Sequence, residues 1–230
     1  MSENIKKITK AFVVDLDSSK NQNIILSTHP FNNQAHQVNE AAKKIYKLIE
    51  GAKHPNNDTI LNHSEIKEAF FSPFEPQLKD AQVFLSHSHA DKNKALKVKN
   101  YLESETNHRV FIDSLFWDYK DNVLNKLAEY DDISGIEDAF TLILRESLED
   151  MIKKCPYFVF LQSNNSVSLN KDLLGITYSA WIYEELKIAN GLIADSALQA
   201  RIKAMRVSHN ITNLLRRFKS ISLNSLSILL

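Results

Sequence analysis

From Ala81 onward the chain repeats one pattern: a short apolar run ending in polar residues, followed by a stretch with helical periodicity. The runs are AQVFLSHS, RVFID and YFVFLQS. Between them, Ala95, Val98 and Leu102 recur three and four residues apart, and so do Phe140, Ile143, Leu144, Leu148, Met151 and Ile152. A strand that is apolar throughout is buried on both faces, and alternation of such strands with helices builds a parallel sheet covered by helices. The expectation is therefore an α/β chain in which 82–86, 109–113 and 157–162 are adjacent parallel strands. Ligands of such sheets sit beyond the carboxyl ends of the strands. Those ends are Ser86–Asp91, Asp113–Asp118 and Gln162–Ser168, all polar.

The helix after AQVFLSHS has Asp91 at its start, placed to cap it. Val123, Leu124 and Leu127 point to a helix after a long loop that follows RVFID. Thr177 to Leu192 reads as a further helix.

Residues 1–80 have a different texture. AFVVDL and NIIL read as short strands, and Val38, Ala42, Ile45 and Ile49 as a helix stopping at Gly51. Ser64–Phe71 fits one short helix, and Pro73 and Pro76 punctuate a linker. This segment reads as a small α+β N-terminal extension packed on a core of residues 81–195. The tail, 196–230, carries Arg201, Lys203, Arg206, Arg216, Arg217 and Lys219 and no acidic residue. It reads as a basic amphipathic helix followed by an alternating edge strand, SISLNSLSI, either packed on the domain or offered to an acidic partner.

Composition removes several classes. The 28 basic and 28 acidic side chains cancel, so the net charge argues for neither nucleic acid nor an anionic membrane. Cys155 is the only cysteine, which excludes an internal disulfide and fits a reducing cytoplasm. No apolar stretch approaches the ~20 residues of a membrane span. With 4 glycines and neither GxGxxG nor GxxxxGK[ST], a phosphate-cradling loop is not expected. His87 and His89 are two ligand types on alternating residues without a third nearby, so no metal is expected.

The helix TYSAWIYEELKIAN holds two adjacent glutamates. Positions three and four apart share a face. Ile182, Leu186, Ala189 and Ile193 make an apolar row for the core, and Ala180, Glu184, Lys187 and Gly191 make a row that can meet water. Glu185 shares its row with Trp181, Ile188 and Leu192. A carboxylate there is costly unless paired, hydrated or used. A rim position, a structural ion pair and a functional carboxylate all remain open on this pattern, and desolvation raises the pKa in each.

VFLSHSHADKNKALKVKNYL, then RVFID, then SAWIYEEL resemble a Toll/interleukin-1 receptor (TIR) domain over about half the chain, Gln82 to Ala189. FIDSLFWDYKDNVL and TYSAWIYEEL further resemble bacterial TIR proteins of antiviral defence. The resemblance implies a flavodoxin-like TIR fold. Two departures stand out: Glu129–Lys154 looks like an insertion, and no fourth or fifth strand is evident after Leu192.

Enzymatic TIR domains cleave the nicotinamide–ribose bond of NAD+, and their catalytic glutamate lies four residues after the tryptophan. Here that residue is Glu185, not Glu184. The resemblance implies NAD+ as substrate rather than cofactor, hydrolysed or cyclised. It also implies Trp181 stacked on the ring or on the core, and Phe84, Ser86 and His87 beneath the cleft. Asp113 and Trp117 would lie on the loop that covers the ligand. It further implies self-association through TIR surfaces or an effector protein as partner. The alternatives are a non-catalytic interaction module acting through Ser114–Asp121, or a domain that senses a nucleotide without cleaving it.

Overall fold

The computed structural model describes residues 10–28, 38–51, 62–71, 80–128, 137–169, 175–193 and 209–230. No helix among them is long and apolar enough to cross a membrane. The chain divides into two compact units: residues 1–31, 81–113 and 149–230 form one, and residues 32–80 and 114–148 the other.

The first unit is built on a five-stranded parallel sheet. Its strands are β1 (Lys10–Asp15), β2 (Ala81–Ser86), β3 (Arg109–Ile112), β4 (Tyr157–Gln162) and a two-residue β8 (Lys219–Ser220). Their order is β3-β2-β4-β1-β8, and every pairing is parallel. The three expected runs are adjacent, with Phe84 in register with both Phe111 and Phe158. Read from β2, the sheet follows the flavodoxin-like order at its first three positions. The fourth position is taken by β1 from the chain's beginning, and the fifth by β8 from its end.

Within the sheet, the run AFVVDL of the N-terminal segment forms an interior strand, β1. Ala11, Phe12, Val13 and Val14 are all buried, as an interior parallel strand requires. NIIL is not a strand but part of helix α1 (Ser19–Ser27), in which Ile25 is buried and Leu26 is 76% exposed. A four-residue apolar run fits either period, and here the chain has to leave the sheet after β1. Asn21 fixes that exit: its Nδ2 donates to Asp15 O at 2.7 Å, and its Oδ1 accepts from Leu223 N at 2.9 Å.

Leu223 opens a helix (α9, Leu223–Leu229) where the sequence suggested an edge strand. Among the described tail residues, Lys219 and Ser220 pair with β1, and Ile221 N donates to Val13 O at 3.0 Å. Leu223 and Leu226 are buried three residues apart, and the Ser222 side chain caps the helix by accepting from Ser225 N. The expected basic helix begins outside the described residues, as do Arg201, Lys203 and Arg206. Within them, the tail's Arg217 docks on the carboxyl end of helix α7 (Ala180–Leu192), donating to Asn190 O and Oδ1 and to Ile193 O. A cation on those terminal carbonyls is the favourable arrangement.

Helix α4 (Lys92–Glu105) follows β2 and buries Ala95, Val98 and Leu102 as expected. Asp91 stands at its N-cap position but does not cap it with its side chain. A small antiparallel sheet of β5 (Ser168–Leu169), β6 (Gly175–Thr177) and β7 (His209–Asn210) completes the unit, together with the short helix α8 (Thr212–Leu215).

In the second unit, α2 (Val38–Gly51) contacts α3 (His63–Phe71) and α5 (Ser114–Leu127). The ring of Phe70 meets that of Phe140 edge-on at 5.3 Å. Phe140 belongs to α6 (Glu137–Lys154), whose residues from Glu149 on belong to the first unit. The long loop expected after RVFID is absent: α5 starts at Ser114, directly after Asp113.

Candidate active site

Ser86 is the last residue of β2, and Asp113 follows β3, the neighbouring strand. Both therefore lie at the carboxyl edge of the sheet. Glu185 reaches this edge from α7, whose start is fixed by the Ser179 side chain accepting from Ile182 N at 3.3 Å. Ile182, Leu186 and Ala189 are buried, so the apolar row is the core contact as expected. The row beside it, with Trp181 and Ile188 half-buried, carries Glu185 inward to 1% exposure. Glu184 lies on the wetter side and meets Lys187 Nζ at 4.0 Å, although its side chain is itself half-covered.

Ser86 Oγ donates to Glu185 Oε2 at 2.5 Å. His87 Nδ1 lies 2.7 Å from Asp113 Oδ1. Ser86, His87, Asp113 and Glu185 are all buried. Glu185 Oε1 has no donor, and His87 Nε2 no hydrogen-bond partner, among the described residues. Buried polar atoms are nearly always paired, and unpaired ones concentrate where a protein binds or reacts.

The electrostatics follow from this burial. Desolvation pushes the Glu185 pKa well above the ordinary carboxyl range, and the Asp113 charge pushes the same way. The Ser86 hydrogen bond opposes them, while a hydrogen bond with Asp113 adds to the rise. Two carboxyls can bond each other only with a proton between them, and burial favours that proton on Glu185. For His87, burial disfavours the charged ring. The charge and hydrogen bond of Asp113, with the charge of Asp91, outweigh burial and the opposing Lys92, so its pKa rises above 6.5.

The structure brings together Glu185, Ser86, His87 and Asp113. It does not bring Phe84 with them. Phe84 lies one pleat deeper on the same strand face as Ser86. Its ring stacks on Phe158 at 5.5 Å and meets Phe111 at 5.6 Å, and Phe158 in turn meets Phe218. Its ring packs in the core beneath the site. Trp181 is half-buried one turn before Glu185. Trp117 falls in α5, and its side chain lies outside the described residues.

One polar cluster escaped the sequence reading. Asp91 is buried and accepts from Ser163 Oγ and from Asn165 Nδ2, the latter at 2.9 Å. Lys94 Nζ lies 3.5 Å from Asp91 and 3.1 Å from Asp17, which also accepts from Asn164 N. This network ties the carboxyl ends of β1, β2 and β4 together. The polar strand ends were the signal for it; which of them would meet was not readable. Among the described residues no group of three or more His, Cys, Asp or Glu is placed to hold a metal ion. No family model, no curated protein and no solved structure matches the chain, so what this site can do rests on its own residues.

Proposed function

We propose that the chain is a TIR-type NAD+ nucleosidase of bacterial defence signalling, with Glu185 as its catalytic carboxylate. The observation that carries this reading is the buried Glu185 at the carboxyl edge of a parallel sheet, with one oxygen accepting from Ser86 and the other without a donor among the described residues.

The chemistry needs one carboxylate. The nicotinamide ring is cationic, so when the C1′–N bond breaks, the bonding electrons neutralise the ring and the leaving group needs no proton. Glycosidases that expel an alkoxide need an acid partner and use two carboxyl groups. Here the developing charge is positive and lies on the ribose. An ionised Glu185 stabilises it, and water or a nitrogen of the adenine then takes C1′. Trp181 supplies an aromatic face one turn away.

Incubation of the full chain with NAD+ at high protein concentration, followed by chromatography, tests the reading. Free nicotinamide with ADP-ribose or its cyclic form is expected, and Glu185→Gln should remove it. Wild type without product under these conditions overturns the proposal. A second reading, a non-catalytic TIR interaction module, is favoured by the 1% exposure of Glu185, which a structural carboxyl shares.

A further inference from the structure

The Glu185 cluster holds more than the one carboxylate the reaction needs. Ser86 and His87 are consecutive, and each contacts a different acid: Ser86 holds Glu185, and His87 holds Asp113. Counting charge in this buried space gives its resting state. With an imidazolium at His87, the buried Glu185–Asp113 pair is balanced when it holds one negative charge and one proton, and burial favours that proton on Glu185. Ionising Glu185 then leaves one uncompensated negative charge in a dry site.

We propose that His87 and Asp113 are positioning residues that make the site exchange a proton for a cation: Glu185 surrenders its proton to solvent as a positively charged ring enters. This rests on the proposed function, which supplies the cationic ring. The balance closes, since one proton leaves Glu185 for each positive charge taken up and the cluster stays neutral before and after. A neutral ring, such as the nicotinamide product, restores no balance. Glu185 then takes its proton back, which favours product release.

The surroundings leave control to these residues. The elements packed on α7 include β6 (Gly175–Thr177) and α8 (Thr212–Leu215), and neither has a titratable side chain. Arg217 sits at the far end of the helix on Asn190, and Glu184 and Lys187 occupy another face. His209 stacks on Tyr183 at 4.3 Å. Asp91 and Lys92 act on His87 with opposite signs.

The two positioning residues have opposite effects on Glu185. His87→Gln removes the positive partner and leaves the Asp113 charge bare, so Glu185 should ionise at higher pH. Asp113→Asn removes the repelling charge, so Glu185 should ionise at lower pH. A purely structural role moves neither midpoint, or moves both alike.

The test has a substrate-free arm and a turnover arm. In the first, the carboxyl carbon-13 signal of Glu185 is followed against pH in full-length protein and assigned by its loss in Glu185→Gln. Its midpoint should move by about one pH unit or more, up in His87→Gln and down in Asp113→Asn. In the second, the acid limb of the NAD+ cleavage rate should move in the same two directions. Opposite shifts in the first arm with no wild-type cleavage would preserve the control element and remove the NAD+ reading. Cleavage with shifts that are absent or in the same direction would overturn the inference and leave that reading intact. If either variant fails to fold, the wild-type midpoint decides: a value at the ordinary carboxyl pKa overturns the inference.

Discussion

Ser86 Oγ donates to Glu185 Oε2 at 2.5 Å, joining the last residue of a strand to a helix 99 residues further along the chain. This hydrogen bond favours the ionised form of Glu185 and works against burial and Asp113. Ser86→Ala removes it and leaves both Glu185 oxygens without a donor among the described residues. A hydrogen bond to a charged group is worth about 1.5–3 kcal/mol, so kcat for NAD+ cleavage should fall roughly ten- to a hundredfold. Ser86→Thr, which keeps the hydroxyl, should recover part of the loss. Steady-state kinetics of the two variants against wild type checks this.

Glu185→Gln should separate stability from activity. The folded-state pKa of Glu185 lies above its ordinary value of 4.5. A group raised in this way contributes stability in full below the ordinary value and loses it as pH rises through the folded value. Wild type should therefore lose melting temperature over that upward range, and Glu185→Gln should lose less. Above the folded value the glutamine variant should be the more stable protein. NAD+ cleavage should drop about a hundred- to a thousandfold in the same variant. Calorimetry over a pH series, with the product assay run alongside, reads both. A glutamine variant less stable than wild type at every pH would show that the Glu185 charge is not strained.

Glu184→Gln provides the contrast one position away. Its ion pair with Lys187 is 4.0 Å long and the lysine is exposed, so the pair is worth about 0–1 kcal/mol. Melting temperature and cleavage rate should both stay near wild type, the rate within a few-fold. Equal loss of turnover in the two glutamine variants would remove Glu185 from its assigned role.

Phe84→Ala tests whether that ring belongs to the core. Emptying a position stacked on Phe158 and touching Phe111 should cost about 3–5 kcal/mol of stability. The fraction that stays folded should keep its KM for NAD+. A variant of near-native stability with a raised KM would instead make Phe84 a ligand contact.

Much of the sheet is legible in the sequence because its strands are apolar on both faces. AQVFLS, RVFI and YFVFLQ declare themselves without reference to anything distant, and they prove to be neighbours. Glu185 is legible for a related reason, since helical periodicity alone separates its row from that of Glu184. The place of β1 was not readable. Its pairing with β4 depends on geometry between segments far apart in sequence, and no local pattern encodes that. The pairing of His87 with Asp113 is hidden in the same way, because each residue is polar at a strand end and only the register brings them together. The depth of Phe84 was not readable either, because alternation gives the strand face but not the depth along it.

The position of β1 also dictates when this protein can fold. Phe12 pairs with Val159 on one side and Lys219 on the other. As the chain leaves the ribosome, β1 emerges early with both faces apolar, while its first partner strand has yet to be made. Its second partner, Lys219–Ser220, is made later still. The sheet therefore closes only once Lys219 and Ser220 have been made, and until then the nascent chain carries an unsatisfied sticky segment of the kind that chaperones hold.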